Sequence, residues 1–556
     1  MSDIAIIGAG PRGLAALQSL FASASDESRH TVYLCGVRNE AGELIAGWGS
    51  AYQPDQGDYI RLNANADIVD LWRHERAKVA SSVAHALPHA TPECVGDLER
   101  PSFRTWARQY SPRWADEQFP PRAVIGAYYQ HCFQLLRQRV PPGWTFVELA
   151  CARQINPAGS HRWQVVTDER TIIVDELLLA VGHATTHPDP LTAKMIGTDA
   201  VRCFPSPYPL AQLGDLPAGA HVAVRGAGLS FLDIALELTE GRGGTFHHDE
   251  RAPTLLRYQP SGREVGTILP LGLTGRFAEA KPPRHLLTDV LNDGELERLL
   301  TLLHEAESLA RVCEIIERAL VGIALRIGLS QRDVTDFLTP PSPGPNRAAR
   351  SLLDSVQVSL GIKRPTFAAY AGAMWAHIAD EIVAVVSHIH WPKPHWQNFE
   401  RLMQACTPHS YGPPPLGAQK LATLITAGVV DPSWLDRGIS QTQIGQLHRN
   451  EIQLDAVIDA VLPPAGWWSQ AYPQLSGLEE YLGMWPKFAE TMGRDGVRID
   501  QCARVLAATG RPVGGLAAIG RMTNNWVLSN DTLNRDVHDH PQRWATWVLT
   551  KTEPRV

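Results

Sequence analysis

Apolar runs with strand-like and helix-like spacing alternate along the first 180 residues. Alternating or continuous apolar residues predict strands, and apolar positions that recur every three or four residues predict the helices between them. Because residues 171–180 are almost continuously apolar, we expect them in a parallel sheet that is buried on both faces. The predicted strands are Asp3–Ile7, Thr31–Cys35, Trp144–Leu149, Trp163–Val166 and Thr171–Ala180, and the predicted helices are Leu14–Ser23 and Ala123–Arg137.

A second strand–helix unit follows a proline-rich connector at Phe204–Pro209. Its strand is predicted at His221–Val224 and its helix at Phe231–Glu240, with Gly241 as the C-cap. Helix spacing continues from about residue 285 to 400, interrupted by a stiff loop at Pro340–Pro345. Two further elements are predicted, a helix that begins near Leu416 and a strand at Ile452–Val461.

Length and charge narrow the class of protein. A chain of 556 residues exceeds what one hydrophobic core usually organises, so we expect two or three domains. A net charge of -7 and a pI near 6.3 disfavour nucleic acid and anionic membranes as partners. The N-terminus lacks the features of a signal peptide, no apolar stretch is long enough for a transmembrane helix, and the eight cysteines are scattered without metal-binding spacing. We therefore expect a cytoplasmic protein with reduced thiols and no metal.

The first strand ends in a glycine-rich turn, Gly8-Ala9-Gly10-Pro11-Arg12-Gly13, that opens a helix. In such a unit Gly8 permits the tight turn, Gly10 lets the backbone approach a pyrophosphate, and Gly13 lets the helix pack closely on the strand. The N-terminus of the helix, at Pro11 and Arg12, then offers unpaired N–H groups and positive dipole to phosphates. The turn predicts a dinucleotide, and we expect FAD.

The carboxylate that usually binds the adenosine ribose at the end of the second strand is missing. The sequence there reads Cys35-Gly36-Val37-Arg38, and the nearest carboxylate is Glu40. Either Glu40 reaches the ribose after a local shift, or Arg38 favours a 2′-phosphate, which would put NADP rather than FAD on this turn.

The second unit carries a shorter turn, Gly226-Ala227-Gly228-Leu229-Ser230, again between a strand and a helix. Two such units in one chain are typical of enzymes that use a flavin and a pyridine nucleotide. Arginines downstream could bind a 2′-phosphate and so favour NADPH over NADH, although they could equally be solvated surface residues. The downstream donors are Arg257, Ser261, Arg263 and Arg276.

The motifs together resemble bacterial FAD/NAD(P)-binding proteins related to flavin-dependent N-monooxygenases, a family that includes nitrosuccinate-forming enzymes acting on L-aspartate. The stretches that carry the resemblance are GAGPRG, RLNAN (61–65), FPPRAVIGAYY (119–129), LAVGHATTHPDP (Leu179–Pro190), residues 225–244, YQPSGRE, SYGPPP (Ser410–Pro415) and residues 519–535. The sequence after SYGPPP is Leu416-Gly417-Ala418, where relatives often have a basic cluster, so a doubly anionic substrate is in doubt.

The resemblance implies roles for particular residues. Gly182 would lie where the chain leaves the FAD domain, and the Asn530–Asp531 pair would close over the flavin. Asn63 and Asn65 would be flavin-proximal amides; alternatively, they stabilise the backbone of their own loop. Arg122 could pair with the flavin pyrophosphate or a substrate carboxylate, or be a plain surface arginine.

We therefore expect an α/β chain with two Rossmann-like dinucleotide-binding domains and a helical insertion that caps the active site. The expected boundaries are 1–200 plus 410–545 for the FAD domain, 201–284 for the NADPH domain and 285–409 for the insertion. The resemblance implies NADPH- and FAD-dependent monooxygenation, with O2 and a flavin C4a-hydroperoxide, of the amino group of an amino acid or similar small amine. Two alternatives stay open: a flavin-dependent oxidoreductase without oxygen transfer, and a non-catalytic flavin-binding regulatory protein. The chain could also form a homo-oligomer.

Overall fold

The computed structural model describes residues 2–72, 99–159, 161–183, 191, 194, 197–339, 344–389, 391–463, 475, 478, 496–507, 509–535 and 537–551. Most of the predicted proline loop at 340–345 and the end of the LAVGHATTHPDP motif, residues 184–190, lie outside these ranges. The strands are β1 Ser2–Ile7, β2 His30–Cys35, β3 Thr145–Leu149, β4 Ala152–Pro157, β5 Trp163–Thr167, β6 Thr171–Val174, β7 Glu176–Leu179, β8 Arg202–Phe204, β9 His221–Arg225, β10 Thr245–His248, β11 Leu256–Gln259, β12 Thr267–Leu271, β13 Ala456–Asp459, β14 Arg504–Leu506 and β15 Pro512–Ala518.

The α-helices connect these strands and form a separate block between β12 and β13. They are α1 Pro11–Ala22, α2 Phe103–Tyr110, α3 Arg122–Arg137, α4 Leu229–Glu237, α5 Asp293–His304, α6 Leu309–Arg326, α7 Gln331–Leu338, α8 Arg347–Ser359, α9 Phe367–Val386, α10 Lys393–Ser410, α11 Pro415–Thr426, α12 Ser433–Asp436, α13 Ile444–Asn450 and α14 His540–Thr550.

The first sheet has, within the described residues, the strand order β14-β15-β7-β1-β2-β3. All of its pairs are parallel except β14 with β15 at one edge. β1 lies in the centre and pairs with β2 and β7, and its residues Ile4, Ala5 and Ile6 are fully buried. The predicted βαβ unit at the N-terminus is therefore confirmed, and its glycine turn lies at the carboxyl end of a central strand.

The predicted single strand Thr171–Ala180 is wrong, because the chain forms two strands there. β6 completes an antiparallel sheet of order β4-β5-β6, whereas β7 enters the parallel sheet beside β1. Asp175 separates them: its N–H donates to the carbonyl of Asp3 at 2.8 Å, and its carboxylate accepts from the N–H of Asp3 at 3.0 Å. Asp175, which is hydrogen-bonded near the start of β1, thus divides the apolar run into two strands. The hydrophobic pattern alone does not reveal this division.

A second sheet, of order β12-β9-β13-β8 among the described strands, is parallel throughout. Its helix α4 follows β9 and ends at Glu237, with Leu238 as C-cap. The prediction of Gly241 as C-cap is therefore wrong. The hydroxyl of Thr239 donates to the carbonyl of Ala235 at 2.6 Å, which satisfies one of the last helical carbonyls before Gly241 is reached.

The expected assignment of all of residues 410–545 to the first domain is wrong for residues 415–459. β13 lies between β8 and β9 in the second sheet, and α11 packs into the same core through Ala418 and Leu421. α8, expected within the helical insertion, also packs there through Leu352 and Val356. Local apolar patterns predict these elements but not the sheet they join.

The remaining helices of the insertion form a core of their own, as the helix spacing predicts. Buried side chains of α5, α6, α7, α9 and α10 share one cluster, which includes Ile316, Met374 and Phe399.

Among the described helices, none is both long and apolar enough to cross a membrane. The chain is thus an α/β protein with two parallel sheets and a helical block between β12 and β13.

Candidate functional site

The first glycine turn has the geometry of a pyrophosphate cradle. Gly8 has φ +110°, and a Cβ there would overlap the carbonyl of Ala180. A Cβ on Gly13 would overlap the carbonyl of Gly8, so the helix lies as close to the turn as glycine allows. A Cβ on Gly10 would meet nothing within 4 Å. The turn is therefore tightly packed on its protein side and open at Gly10.

The start of α1 has donors without protein partners. Gly10 is the N-cap, Pro11 takes the first helical position, and no side chain caps the N–H groups. Arg12 donates from Nη2 to Oδ1 of Asn530 at 2.8 Å, while its Nε and Nη1 are buried without a hydrogen-bond partner. Burial lowers the pKa of Arg12 to about 10, and the nearby charge of Arg535 adds to this effect. A buried cation with unpaired donors beside an uncapped helix needs an anion, which a dinucleotide pyrophosphate supplies.

Asn530 and Asp531 lie on a segment that folds back onto this turn. Asn530 is fully buried and donates from Nδ2 to Thr523 Oγ1 at 2.6 Å, in addition to accepting from Arg12. Asp531 accepts from Asn524 Nδ2 at 3.0 Å. Gly182 follows β7 with φ +71°, and a Cβ there would meet nothing within 4 Å. The structure therefore brings Asn530 to the first turn, and the flavin contact of Asn530 and Asp531 stays a prediction.

At the end of β2 the structure distinguishes Arg38 from Glu40, the two residues predicted to contact the adenosine ribose or its phosphate. Arg38 donates to Glu169 Oε1 at 2.6 Å, to the Gly42 carbonyl at 2.7 Å and to the Glu148 carbonyl at 3.0 Å. These bonds engage its guanidinium within the domain, which disfavours the alternative of a 2′-phosphate on Arg38. Glu40 is exposed in the turn that follows, and its contact with a ribose stays a prediction.

The second glycine turn repeats the open geometry of the first. Gly226 has φ +105°, and a Cβ on Gly228 would meet nothing within 4 Å. Gly228 is the N-cap of α4, no side chain caps the helix, and Ser230 lies in its first turn. Phe231 occupies the place of a third glycine; it is fully buried, and its ring lies 5.5 Å from that of Phe277. The helix therefore packs through an aromatic pair while its N–H groups stay available to a phosphate.

The structure corrects which arginines could grip a 2′-phosphate. Arg263 lies in the turn before β12, where the N–H of Gly219 donates to the carbonyl of Glu264 at 2.9 Å. This is the amino-terminal edge of the second sheet, about 15 Å, or five strand residues, from the glycine turn. Arg257 is exposed on the two-stranded β10–β11 ribbon, outside that sheet. These positions disfavour the predicted role for Arg263, and no hydrogen bond among the described residues links Arg257 to the turn.

Arg276 is placed differently, because it follows the carboxyl end of β12. Two residues later, the N–H of Ala278 donates to the carbonyl of Ala227 within the glycine turn, at 3.3 Å. Arg276 donates from Nη2 to the carbonyl of Gln404 at 2.9 Å, and its other guanidinium nitrogens have no described carboxylate partner. Burial lowers the pKa of this half-buried arginine. Of the four donors, Arg276 is the one whose chain segment bonds to the second glycine turn, and its contact with a 2′-phosphate stays a prediction.

The predicted pairing of Arg122 with pyrophosphate or substrate is wrong, because Arg122 has a protein carboxylate as its partner. Its Nη1 lies 2.5 Å from Oδ2 of Asp233 on α4, and its Nε donates to the Arg61 carbonyl at 3.1 Å. The hydroxyl of Tyr208 donates to the same carboxylate oxygen. Burial acts to lower the pKa of Arg122, but the carboxylate of Asp233 outweighs it and the pKa is raised. Arg122 therefore joins the first glycine domain to the helix of the second.

The two asparagines predicted near the flavin have different surroundings. Asn65 accepts from the N–H of Asp67 at 3.1 Å and is the N-cap of a 3-10 turn at Ala66–Ile68, which is the local role left open by the sequence. Asn63 donates from Nδ2 to the carbonyl of Tyr411 at 3.2 Å, and its Oδ1 is buried without a partner. Asn63 therefore links the first domain to the SYGPPP motif and retains one unused acceptor.

Lys281 is a residue of this region that the sequence reasoning missed. Its N–H donates to the carbonyl of Pro413 at 3.1 Å, its Nζ lies 3.4 Å from the carbonyl of Ser410, and the ammonium lies 5.9 Å from the centre of the Tyr411 ring. The chain segment 276–281 thus runs from the second glycine turn to the backbone that Asn63 contacts. The only signal in the sequence was a lysine before two prolines, which indicates no function by itself.

Among the described residues, no group of three histidine, cysteine, aspartate or glutamate side chains is placed to hold a metal ion.

Comparison with known proteins gives one matching family and several similar sequences. Residues 5–184 match the family described as FAD-NAD(P)-binding. Over 319 residues the chain is 29% identical to a nitrosuccinic acid synthase from Aspergillus oryzae, a match that covers 53% of this chain and 45% of that protein. Over 293 residues it is 26% identical to a nitrosuccinate-forming L-aspartate N-monooxygenase from Streptomyces cremeus, covering 47% of this chain and 40% of that protein. The matches therefore span less than half the length of these curated relatives.

Similar solved structures include the FAD-bound cadaverine monooxygenase of desferrioxamine biosynthesis from Erwinia amylovora, with 10% identity, a TM-score of 0.44 and coverage of 100% of this chain and 95% of that one. Another is the open form of cyclohexanone monooxygenase, with 12% identity, a TM-score of 0.39 and coverage of 99% and 88%. TM-scores this low do not bear on function. The resemblance inferred from the sequence is nevertheless confirmed by the sequence comparisons. Residues 5–184 match the FAD-NAD(P)-binding family, and about half of the chain is similar to a nitrosuccinic acid synthase and to a nitrosuccinate-forming L-aspartate N-monooxygenase.

Proposed function

We propose that this protein is an NADPH- and FAD-dependent monooxygenase that hydroxylates the amino group of an amino acid or a similar small amine. The observation that carries the proposal is the pair of open, uncapped glycine turns, one at the carboxyl end of a central strand in each parallel sheet. Ligands of such sheets bind at this edge. The homology to L-aspartate N-monooxygenases supports an amine as the substrate.

The residues that would hold each cofactor follow from the unpaired groups. Gly10, Pro11 and the free Nε and Nη1 of Arg12 would hold the FAD pyrophosphate, and Gly228 with the start of α4 would hold that of NADPH. Arg276 would contact the 2′-phosphate, which distinguishes NADPH from NADH. When bound, FAD supplies the redox chemistry that activates O2, and NADPH supplies the reducing equivalents.

In this proposal Asn63 would hold the reacting amine. Its buried Oδ1 can accept a hydrogen bond from an amine N–H, and an amide has no proton at that atom to release. The bond from its Nδ2 to the Tyr411 carbonyl fixes the orientation of the side chain. A fixed acceptor that is sheltered from water keeps the substrate amine oriented without offering a route for proton transfer.

The experiment that tests the proposal supplies the purified holoenzyme with NADPH, ¹⁸O₂ and a panel of amino acids and simple amines. We expect at least one amine to gain a single ¹⁸O atom on nitrogen, detected by mass spectrometry. If NADPH is consumed and only hydrogen peroxide forms with every amine, the protein is an oxidoreductase without oxygen transfer. If NADPH neither is consumed nor bleaches the flavin, the regulatory alternative replaces both.

A further inference from the structure

Lys281 is a cation that has no carboxylate partner among the described residues, and it lies where both domains and the helical block meet. Its backbone contacts Pro413 and its ammonium contacts Ser410, next to the carbonyl to which Asn63 donates. Asn63 belongs to the first domain, Ser410 ends α10 of the helical block, and the segment of Lys281 leads from the second glycine turn. Lys281 and Asn63 therefore bond to the carbonyls of two consecutive residues, Ser410 and Tyr411 respectively.

The charge environment of Lys281 differs from that of three other lysines in the described part of the chain. Lys363, Lys420 and Lys551 each contact a carboxylate, on Asp354, Glu240 and Glu176 respectively. Lys281 has no carboxylate partner among the described residues; its acceptor is the carbonyl of Ser410, at the long distance of 3.4 Å. An ammonium has three donors, so most of its hydrogen-bonding capacity is unused.

The carboxylate nearest in sequence is already engaged. Glu279 accepts from Nδ1 of His409 at 2.8 Å and from the hydroxyl of Ser351. The side chains of Glu279 and His409 are 10% and 8% exposed, so this pair is largely buried. Nothing in the described structure therefore neutralises the ammonium of Lys281.

We propose that Lys281 binds a carboxylate of the substrate and so selects amino acids over simple amines. The amide of Asn63 and the ammonium of Lys281 bond to the carbonyls of two consecutive residues, Tyr411 and Ser410, and we assign to them the amine and the carboxylate of one amino acid. This inference rests on the proposed function for the identity of the reacting amine, but the binding of a carboxylate at Lys281 can be measured without turnover. A rival role exists, because Lys281 also lies at the C-terminus of α10, where a cation stabilises the helix dipole.

The pH dependence of binding separates the two roles. Burial lowers the pKa of Lys281 to about 8. The other titratable groups around it are Tyr411, whose pKa is raised by burial and by Asp380, and the Glu279–His409 pair. Because only the ammonium attracts a carboxylate, affinity should be constant below the pKa and fall about tenfold for each pH unit above it. An arginine stays protonated throughout this range, so Lys281→Arg should remove that fall.

The experiment measures dissociation constants from the perturbation of flavin absorbance in the oxidised holoenzyme, without NADPH. The probes are L-alanine, L-aspartate and ethylamine, which is L-alanine without its carboxylate. Lys281→Met and Lys281→Gln should weaken both amino acids about tenfold to a hundredfold and leave ethylamine unchanged. Lys281→Arg should restore amino-acid binding with a flat pH profile to about pH 10. The control, Lys393→Met, removes an exposed lysine at the start of α10 and should change nothing.

Several results would overturn the inference. The inference fails if Lys281→Met and Lys281→Gln bind the amino acids as tightly as the parent does. It also fails if the affinity for ethylamine falls as much as that for the amino acids, or if the parent binds neither amino acid. Neutral variants that lose flavin or thermal stability but keep the parent's ratio of amino-acid affinity to ethylamine affinity would assign the residue to the helix terminus. If the amino acids bind through Lys281 but no ¹⁸O is incorporated, the proposed function fails and the carboxylate site stands.

Discussion

Replacing one glycine in each turn should separate the two cofactors. Gly10 and Gly228 share three properties: an extended backbone that other residues adopt, no atom within 4 Å of the position that a Cβ would take, and an N-cap position without a side-chain cap. A methyl or isopropyl group at either position therefore fits the protein and occupies only the space that a pyrophosphate needs. Gly13 differs, since a Cβ there would overlap the carbonyl of Gly8 and damage the fold.

The magnitudes follow from this geometry. In the apoprotein, Gly10→Ala should be neutral or stabilise by about 0.4–1 kcal/mol, because alanine restricts the unfolded chain. In the holoprotein, FAD at about 100 to 1,000 times its Kd contributes roughly 2.7–4.1 kcal/mol, and this contribution should disappear in Gly10→Val. The expected signature is thus a variant that folds as well as the apoprotein yet no longer gains stability from FAD.

The assay compares four proteins: the parent, Gly10→Val, Gly228→Val and the control Gly214→Ala, whose Cβ would also meet nothing within 4 Å. For each, FAD released on denaturation is quantified, and anaerobic reduction by NADPH is followed. Gly10→Val should lack FAD, Gly228→Val should keep FAD but resist reduction, and Gly214→Ala should match the parent. Full flavin content in Gly10→Val, or normal reduction of Gly228→Val, would refute the assignment of that turn.

Three further predictions follow from single side chains. Asn63→Ala should keep FAD and its reduction by NADPH but divert oxygen to hydrogen peroxide. Asn65→Ala should lower the free energy of unfolding by about 1 kcal/mol, because an N-cap is lost, and should leave the ratio of peroxide formed to NADPH consumed unchanged. Equal ratios in the two variants would refute the distinction. Arg276→Met should raise the Kd for NADPH about tenfold to a hundredfold, with NADH little affected and Arg263→Met silent, in a coenzyme titration; an equal loss with both coenzymes would make Arg276 structural. Arg122→Met leaves a buried carboxylate unpaired and should cost about 3–5 kcal/mol in thermal unfolding, and a change below about 1 kcal/mol would contradict the ion pair.

The features that the sequence predicts correctly depend on residues that are close together in the chain. Both glycine turns, the strands before them and the helices after them follow from local spacing, because a turn and its helix lie within about ten residues. Gly8, Gly10 and Gly13 accordingly have in the structure the packing that the motif predicts.

The features that escaped prediction depend on contacts between distant residues. β13 joins the second sheet because its apolar residues pair with β9, more than 200 positions earlier. Arg122 meets Asp233 across 111 positions, and no local pattern states which carboxylate a buried arginine will find. Lys281 is distinguished by being buried without a carboxylate partner among the described residues, which becomes visible once its surroundings are known.

The most direct test of the two-cofactor account is the visible absorbance of the purified protein on anaerobic addition of NADPH. The account predicts a yellow protein that releases FAD on denaturation and whose flavin absorbance is bleached by NADPH at a lower concentration than by NADH. A colourless protein, or a flavin that NADPH does not bleach, would contradict it.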